Sequence, residues 1–364
     1  MENLYDNKAF ALSQSMLKEW DQMAPNVWYD NYILGRRKKK VTRTMDMGSL
    51  IDTLCFSPEL FEKRFVVADC KKPSEKIEAI LLATYEHLTT LNKNIKELNE
   101  KNGTKVPLKK LALVGNEDVL RKFCVSLDYY ANSPDTGITK LTAKEGTDYF
   151  AFIKKLGKKI SITPEQHKLA LELKEILFTD KVSKGFFVAK KGTRLLFQTQ
   201  IRVSFPISGV EGVESIPVKG ITDILLINEI KKTIREVDFK FTEMGVHQFN
   251  KPKGPVRQLD YPMQHSFYDF LISEWIKTFE DGKYEGYAIE APLNVTIDDT
   301  IKIPYIFKYN REDLMIKRTG IEGTWIKGWE NTLQDIAWHL NLNDFTRPRE
   351  HIMNGAIAIN VFKK

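Results

Sequence analysis

Cysteine is scarce: Cys55, Cys70 and Cys124 are the only three in 364 residues. Their wide spacing contains no CxxC pair and suggests neither a zinc site nor a disulfide framework. Three thiols also fall short of the four that an iron–sulfur cluster normally takes. Long apolar runs are missing too, since no stretch approaches the roughly 20 consecutive residues needed to span a bilayer. The opening segment, MENLYDNKAFALSQSMLKEW, has early acids and no apolar core, so it does not read as a signal peptide. No internal repeat or low-complexity tract is visible. These absences leave a cytoplasmic protein with no membrane partner as the expectation.

What is present fits a folded enzyme. Hydrophobic residues at 42% and charged residues at 28% argue against disorder as the main state. One large α/β domain with insertions can use residues 1–364 entirely. The formal net charge is +7, which permits a polyanionic partner without requiring one. Arg36, Arg37, Lys38, Lys39 and Lys40 form a run with Arg43 close behind. Such a run is a solvated loop on the plain reading and a phosphate-tracking loop on the sharper one.

Along the chain, Leu12 to Trp20 reads as a helix opened by a serine cap, interrupted by Pro25. A second helical stretch runs through Val27, Trp28 and Tyr29 towards Gly35, and another helix begins at Met47. Residues 71–135 are rich in Lys, Glu and Asn, include a helical stretch over 77–98 and break at Asn102-Gly103. This texture predicts an inserted helical subdomain. Residues 141–184 return to helix, with a clear start at Thr163-Pro164-Glu165-Gln166. From Gly192 the period changes, and 195–205, 218–227 and 233–242 predict strands. A long helix over 261–277, a strand over 284–291, one more over 296–308 and a last helix over 324–340 follow. The catalytic strands and helix are expected within 192–291.

The chemistry is expected in the hairpin of 218–227 and 233–242. Strand alternation puts Glu236, Asp238, Lys240 and Thr242 on one face and Val237, Phe239 and Phe241 on the other. Pairing Ile227 with Ile234 beside the turn sets Asp223 opposite Asp238. Two facing carboxylates repel, and the apolar run after Asp223 keeps solvent away. A cation belongs between them: either the Lys240 ammonium or a hard divalent ion. Magnesium would use Asp223, Asp238, the main-chain carbonyl of Phe239 and waters, and Lys240 would orient a water and offset phosphate charge. A plain Asp–Lys ion pair is the simpler alternative for the tripeptide alone. On the following helix Tyr261, Gln264 and Tyr268 share a face, suited to binding phosphate or holding ligands, or else to rimming the core.

Gly220-Ile221-Thr222-Asp223, Val237-Asp238-Phe239-Lys240 and Gln264-His265-Ser266-Phe267-Tyr268 together resemble the RecB-like PD-(D/E)XK nucleases. Leu12-Ser13-Gln14-Ser15, Ala24-Pro25 and Met47-Gly48-Ser49-Leu50-Ile51 look like the N-terminal part of the RecE/exonuclease VIII type of phage exonuclease. Lys144-Glu145-Gly146 and Ile162-Thr163-Pro164-Glu165 are similar to the linker of that group. The resemblance covers most of the chain outside 71–135 and the far C-terminus. It implies a restriction-endonuclease-like core, a mixed central sheet flanked by helices. It also implies Mg2+, with Mn2+ as a substitute, and catalytic Asp223, Asp238, Lys240, Gln264 and Tyr268. Double-stranded DNA ends would be the substrate, contacted through Tyr261 and the basic run. A single-strand annealing protein and further copies of the chain would be partners. Cluster-bearing branches of the class do not fit three cysteines. Where the family usually has a metal-binding histidine this chain has Asp52, either a ligand or a helix residue in a local salt bridge. The alternatives are an endonuclease of defence or DNA processing, and a non-catalytic DNA-binding protein that keeps the fold.

Overall fold

β-Branched and aromatic residues crowd the chain after Gly192, and six strands of a seven-stranded sheet form there. In the computed structural model, which describes residues 10–37, 43–324 and 326–357, its strands are as follows. They are β1 (Leu12–Ser13), β2 (Thr193–Pro206), β3 (Ser215–Asn228), β4 (Thr233–Phe241), β5 (Ala288–Ile289), β6 (Leu293–Ile297) and β7 (Tyr305–Lys308). The order is β1-β3-β4-β6-β7, with β2 also on β3 and β5 on β4. β2/β3, β3/β4 and β6/β7 are antiparallel. β1/β3, β4/β5 and β4/β6 are parallel. The protein is therefore mixed α/β, with a mixed sheet flanked by helices.

β3 carries two partners on one edge, and this places the site. β4 pairs with its C-terminal half from Asn228↔Thr233 to Ile224↔Val237, through the expected Ile227↔Ile234 pair. β1 pairs with it at Val218 and Lys219. Beyond Val237, β4 continues against β6 from Val237↔Leu293 to Phe241↔Ile297. The sheet thus forks at Asp223 and Asp238. They stand one step past the last β3/β4 pair in the same register, so the direct pairing expected of them is replaced by a parting of strands.

The helix Tyr261–Trp275 covers one sheet face, with Pro262 tolerated in its first turn. Phe267, Leu271, Leu225, Ile227, Ile234 and Trp329 are among the buried residues of this core. Each such large side chain contributes about 1.5–3 kcal/mol on burial. Gly220 is required here, because a Cβ would stand 2.7 Å from both Tyr268 and Leu271.

Residues Met1–Phe56 with Leu171–Lys364 make one compact unit and Ser57–Ala170 the other. The second unit contains the 71–135 stretch and reaches beyond it at both ends. Its helices Glu75–Asn102, Glu117–Ser126, Pro134–Leu141 and Lys144–Leu156 enclose a core that includes Ile80, Leu88, Leu120 and Phe150. The first of them stops at Gly103, whose φ of 64° suits glycine. Among the described residues, no helix is long and apolar enough to cross a membrane.

Four local expectations change. Ser13 holds the N-cap position of the helix Gln14–Trp20 but makes no capping bond, and belongs instead to β1. Within 141–184 the strand Ile160–Ile162 separates two helices, and only the second has its reciprocal cap. There Thr163 N–H donates to Gln166 and Gln166 N–H to Thr163. The 284–291 strand shrinks to Ala288–Ile289, because Glu280, Asp281, Gly282 and Gly286 all take positive φ and turn the chain. The 296–308 strand splits into β6 and β7. The Asp298 carboxylate accepts from Thr300 N–H and Ile301 N–H, folding the chain back on itself.

Candidate active site

At the fork the ladder cannot satisfy every backbone group, and a side chain does so instead. Phe239 N–H donates to Asp223 Oδ2 at 3.0 Å. Asp223 Oδ1 accepts from Gln198 Nε2 at 3.3 Å. Asp238 is 2% exposed. Its Oδ1 accepts from Gln264 Nε2 at 2.8 Å, and its Oδ2 from Asn294 Nδ2 at 2.7 Å. Lys240 Nζ lies 2.5 Å from Asp238 Oδ2 and 5.2 Å from the Tyr261 ring centroid.

Behind Asp238 runs a buried polar chain. His265 is fully buried, with Nδ1 2.5 Å from Glu236 Oε2 and Nε2 3.3 Å from Asn294 Oδ1. Tyr309 also donates its hydroxyl to Asn294 Oδ1. Two donors on the amide oxygen leave the Asn294 NH2 to face Asp238, so the chain fixes the orientation of that carboxylate.

The electrostatics follow from crowding. Burial pushes the Asp223 carboxyl well above the usual carboxylate range, and the charges of Asp238 and Asp52 push it further. Lys240 and the Phe239 N–H oppose this without cancelling it. Burial alone would lower the Lys240 pKa, yet Asp238 and Asp223 hold its ammonium charged well above the usual range. Tyr261 is pushed up to about 12, first by burial. Burial raises the Glu236 carboxyl; it also works to lower the His265 imidazole, but the charge and hydrogen bond of Glu236 together with the Asp238 charge outweigh it and raise the imidazole. Both shifts mean that the native pair retains a proton longer than the unfolded chain does. The stability His265 contributes is full below its unfolded pKa of about 6.5 and is lost as pH rises through the higher folded value. Denaturant unfolding above about pH 6.5 should show this slope.

A cavity of about 630 Å3 opens on the site, lined by Gly48, Ser49, Asp52, Lys240, Tyr261 and Gln264 among others. Asp52, Lys240, Tyr261 and Gln264 line this cavity, and Asp223 and Asp238 join them through Phe239 N–H, the Gln264 amide and the Lys240 ammonium. Tyr268 packs at Gly220 and lies in the field of Asp238 and Asp223. Of the basic run, the described Arg36 and Arg37 do not line the cavity. Arg36 pairs with Asp30 at 3.0 Å, and Arg37 pairs with Glu19 and lies over the Tyr32 ring. Lys38, Lys39, Lys40 and the Arg43 side chain lie outside the described residues. At Phe239 the group that meets Asp223 is the N–H rather than the carbonyl.

Among the described residues no group of three or more His, Cys, Asp or Glu side chains forms a ready metal cage. Magnesium needs none, since it commonly takes one or two carboxylates and completes its shell with water and substrate phosphate. Asp223 and Asp238 fit that requirement. Asp223 has one protein donor on each oxygen, and Asp238 Oδ1 has one, so lone pairs remain for a cation. A cation would also relieve the repulsion that raises Asp223.

The sequence alone assigns no role to Glu236, Gln198, His265, Asn294 or Tyr309. Two faint signals existed: Glu236 on the face of Asp238, and His265 next to Gln264. Asn294 and Tyr309 join through strand pairing at Asp238↔Asn294 and Asn294↔Phe307, which no short motif records. The chain matches no protein-family model, and no curated protein is significantly similar to it.

Proposed function

We propose that the chain is a magnesium-dependent deoxyribonuclease of the PD-(D/E)XK class, RecB-like and nearest in pattern to the RecE/exonuclease VIII type. The observation that carries the reading is the convergence of Asp223, Asp238 and Lys240 at the fork, with Asp52 and Gln264 at the same place. A plain Asp238–Lys240 ion pair accounts for one contact. It leaves a second buried carboxylate and a third nearby acid without a reason to be there.

Asp223 and Asp238 would hold the ion, with Asp52 a further acid able to reach it. When bound, magnesium polarises the phosphodiester and makes a water more acidic. Gln264 and Asn294 keep both oxygens of Asp238 oriented, which lowers the reorganisation needed at reaction. Lys240 offsets the charge growing on the phosphate and holds the attacking water in line. Tyr261 and Gln264 line the cavity where a DNA backbone would lie. Duplex DNA ends are the proposed substrate, with release of single strands for recombination.

Linear, nicked and closed-circular duplexes, incubated separately with the protein and magnesium, test this. Linear DNA should be digested, closed circles should resist, and chelator should stop the reaction. Digestion that persists in chelator would refute the mechanism. Cutting of closed circles would replace the exonuclease with an endonuclease of defence or DNA processing. Binding to duplex without any digestion would leave a DNA-binding protein that keeps the fold.

A further inference from the structure

β2 and β3 pair in a single register from Thr193↔Asn228 to Pro206↔Ser215, and one position is skipped, where Gln198 faces Asp223. No residue is inserted there, because Phe197↔Ile224 and Thr199↔Thr222 flank it in step. Gln198 instead takes φ +46°, a left-handed conformation that a residue with a Cβ resists. The position is not a turn, and the ladder resumes at once on both sides. Strain of this kind persists when the surroundings hold it, and it gathers at functional sites. What Gln198 reaches from this backbone is Asp223 Oδ1, through Nε2 at 3.3 Å. The other oxygen of Asp223 is taken by Phe239 N–H, so the two contacts together fix the plane of the carboxylate.

We propose that Gln198 is a positioning residue, whose strained backbone aims its amide at Asp223 and so fixes how that carboxylate meets a cation. The proposal rests on the nuclease reading for its consequence in catalysis and on backbone geometry for its cause. Two substitutions separate these. Gln198→Ala removes the amide and keeps a Cβ at positive φ. Gln198→Gly removes the amide and relaxes the backbone as well.

In the full chain, both variants should slow magnesium-dependent digestion about tenfold or more, as loss of a ligand-orienting partner commonly does. Both should also shrink the rise in thermal midpoint that magnesium gives the wild type. In chelator the glycine variant should melt about 2–4 °C above the alanine variant. A glycine variant melting at or below alanine overturns the proposal, because the backbone would then hold no strain to release. So does a wild-type magnesium response in either variant. A wild type that is stabilised by magnesium yet digests no DNA would sink the nuclease reading alone, and the midpoint comparisons would still decide the role of Gln198. A wild-type midpoint indifferent to magnesium overturns both.

Discussion

Asp238→Asn should abolish magnesium-dependent digestion of linear duplex, a loss of at least about 10³-fold, while the protein remains folded. The substitution is nearly isosteric, so packing at this position, 2% exposed, should survive. The electrostatics should not survive. Gln264, Asn294 and Lys240 all direct donors at the carboxylate, and an asparagine offers them one oxygen in place of two. Lys240→Ala should cause a comparable loss for a different reason. It removes the ammonium from a cluster in which Asp223 and Asp238 already repel, and it removes the group that would neutralise phosphate charge. Rates on linear DNA, with circular dichroism to verify folding, are the measurements. Wild-type activity in either variant contradicts the assigned roles.

His265→Phe should cost about 3–5 kcal/mol of stability near neutral pH, because it leaves the Glu236 carboxylate buried without its partner. Glu236 is 2% exposed and His265 fully buried, so water cannot replace the lost contact. The deficit should shrink at low pH, where an orphaned Glu236 is protonated and the penalty for a buried charge falls. Adding Glu236→Leu should recover most of the stability, since apolar residues commonly replace a buried ion pair at little cost. Activity should stay low in both variants. Without the imidazole, Asn294 Oδ1 keeps only Tyr309 as a donor, and the amide that orients Asp238 is less firmly held. Urea unfolding at neutral and acid pH measures the first claim. A small loss that does not vary with pH would mean that the pair is not ionised in the native protein.

The sheet was legible where the sequence alternates strongly. β2, β3 and β4 lie within a few residues of the spans predicted, and the Ile227↔Ile234 register followed from apolar pairing beside a turn. Asp223, Asp238, Lys240 and Gln264 could be brought together on paper because one hairpin and the next helix carry them all. The rest depended on long-range pairing. Past the fork β3 takes β1, from the start of the chain, on the edge that β4 leaves, while β4 keeps β6, from near the chain's end, on its other edge. No local pattern announces that. Asn294 reaches Asp238 only through the parallel β4/β6 register, and Gln198 meets Asp223 only through β2. The split of 296–308 turned on one side chain, Asp298, whose backbone bonds outweigh the β-branched character around it. Burial misled as well: β4 is covered on both faces, so Glu236 reads like a surface charge in sequence and is a core residue in the fold.

The most direct measurement is a crystal structure with magnesium and a duplex carrying a non-cleavable linkage. The expected result is a single cation bridging Asp223 and Asp238, with oxygens at about 2.0–2.1 Å, a phosphate beside it and the Lys240 ammonium turned towards that phosphate. Magnesium bound elsewhere, or DNA seated on a surface away from the β3/β4 fork, would contradict the assignment of this site.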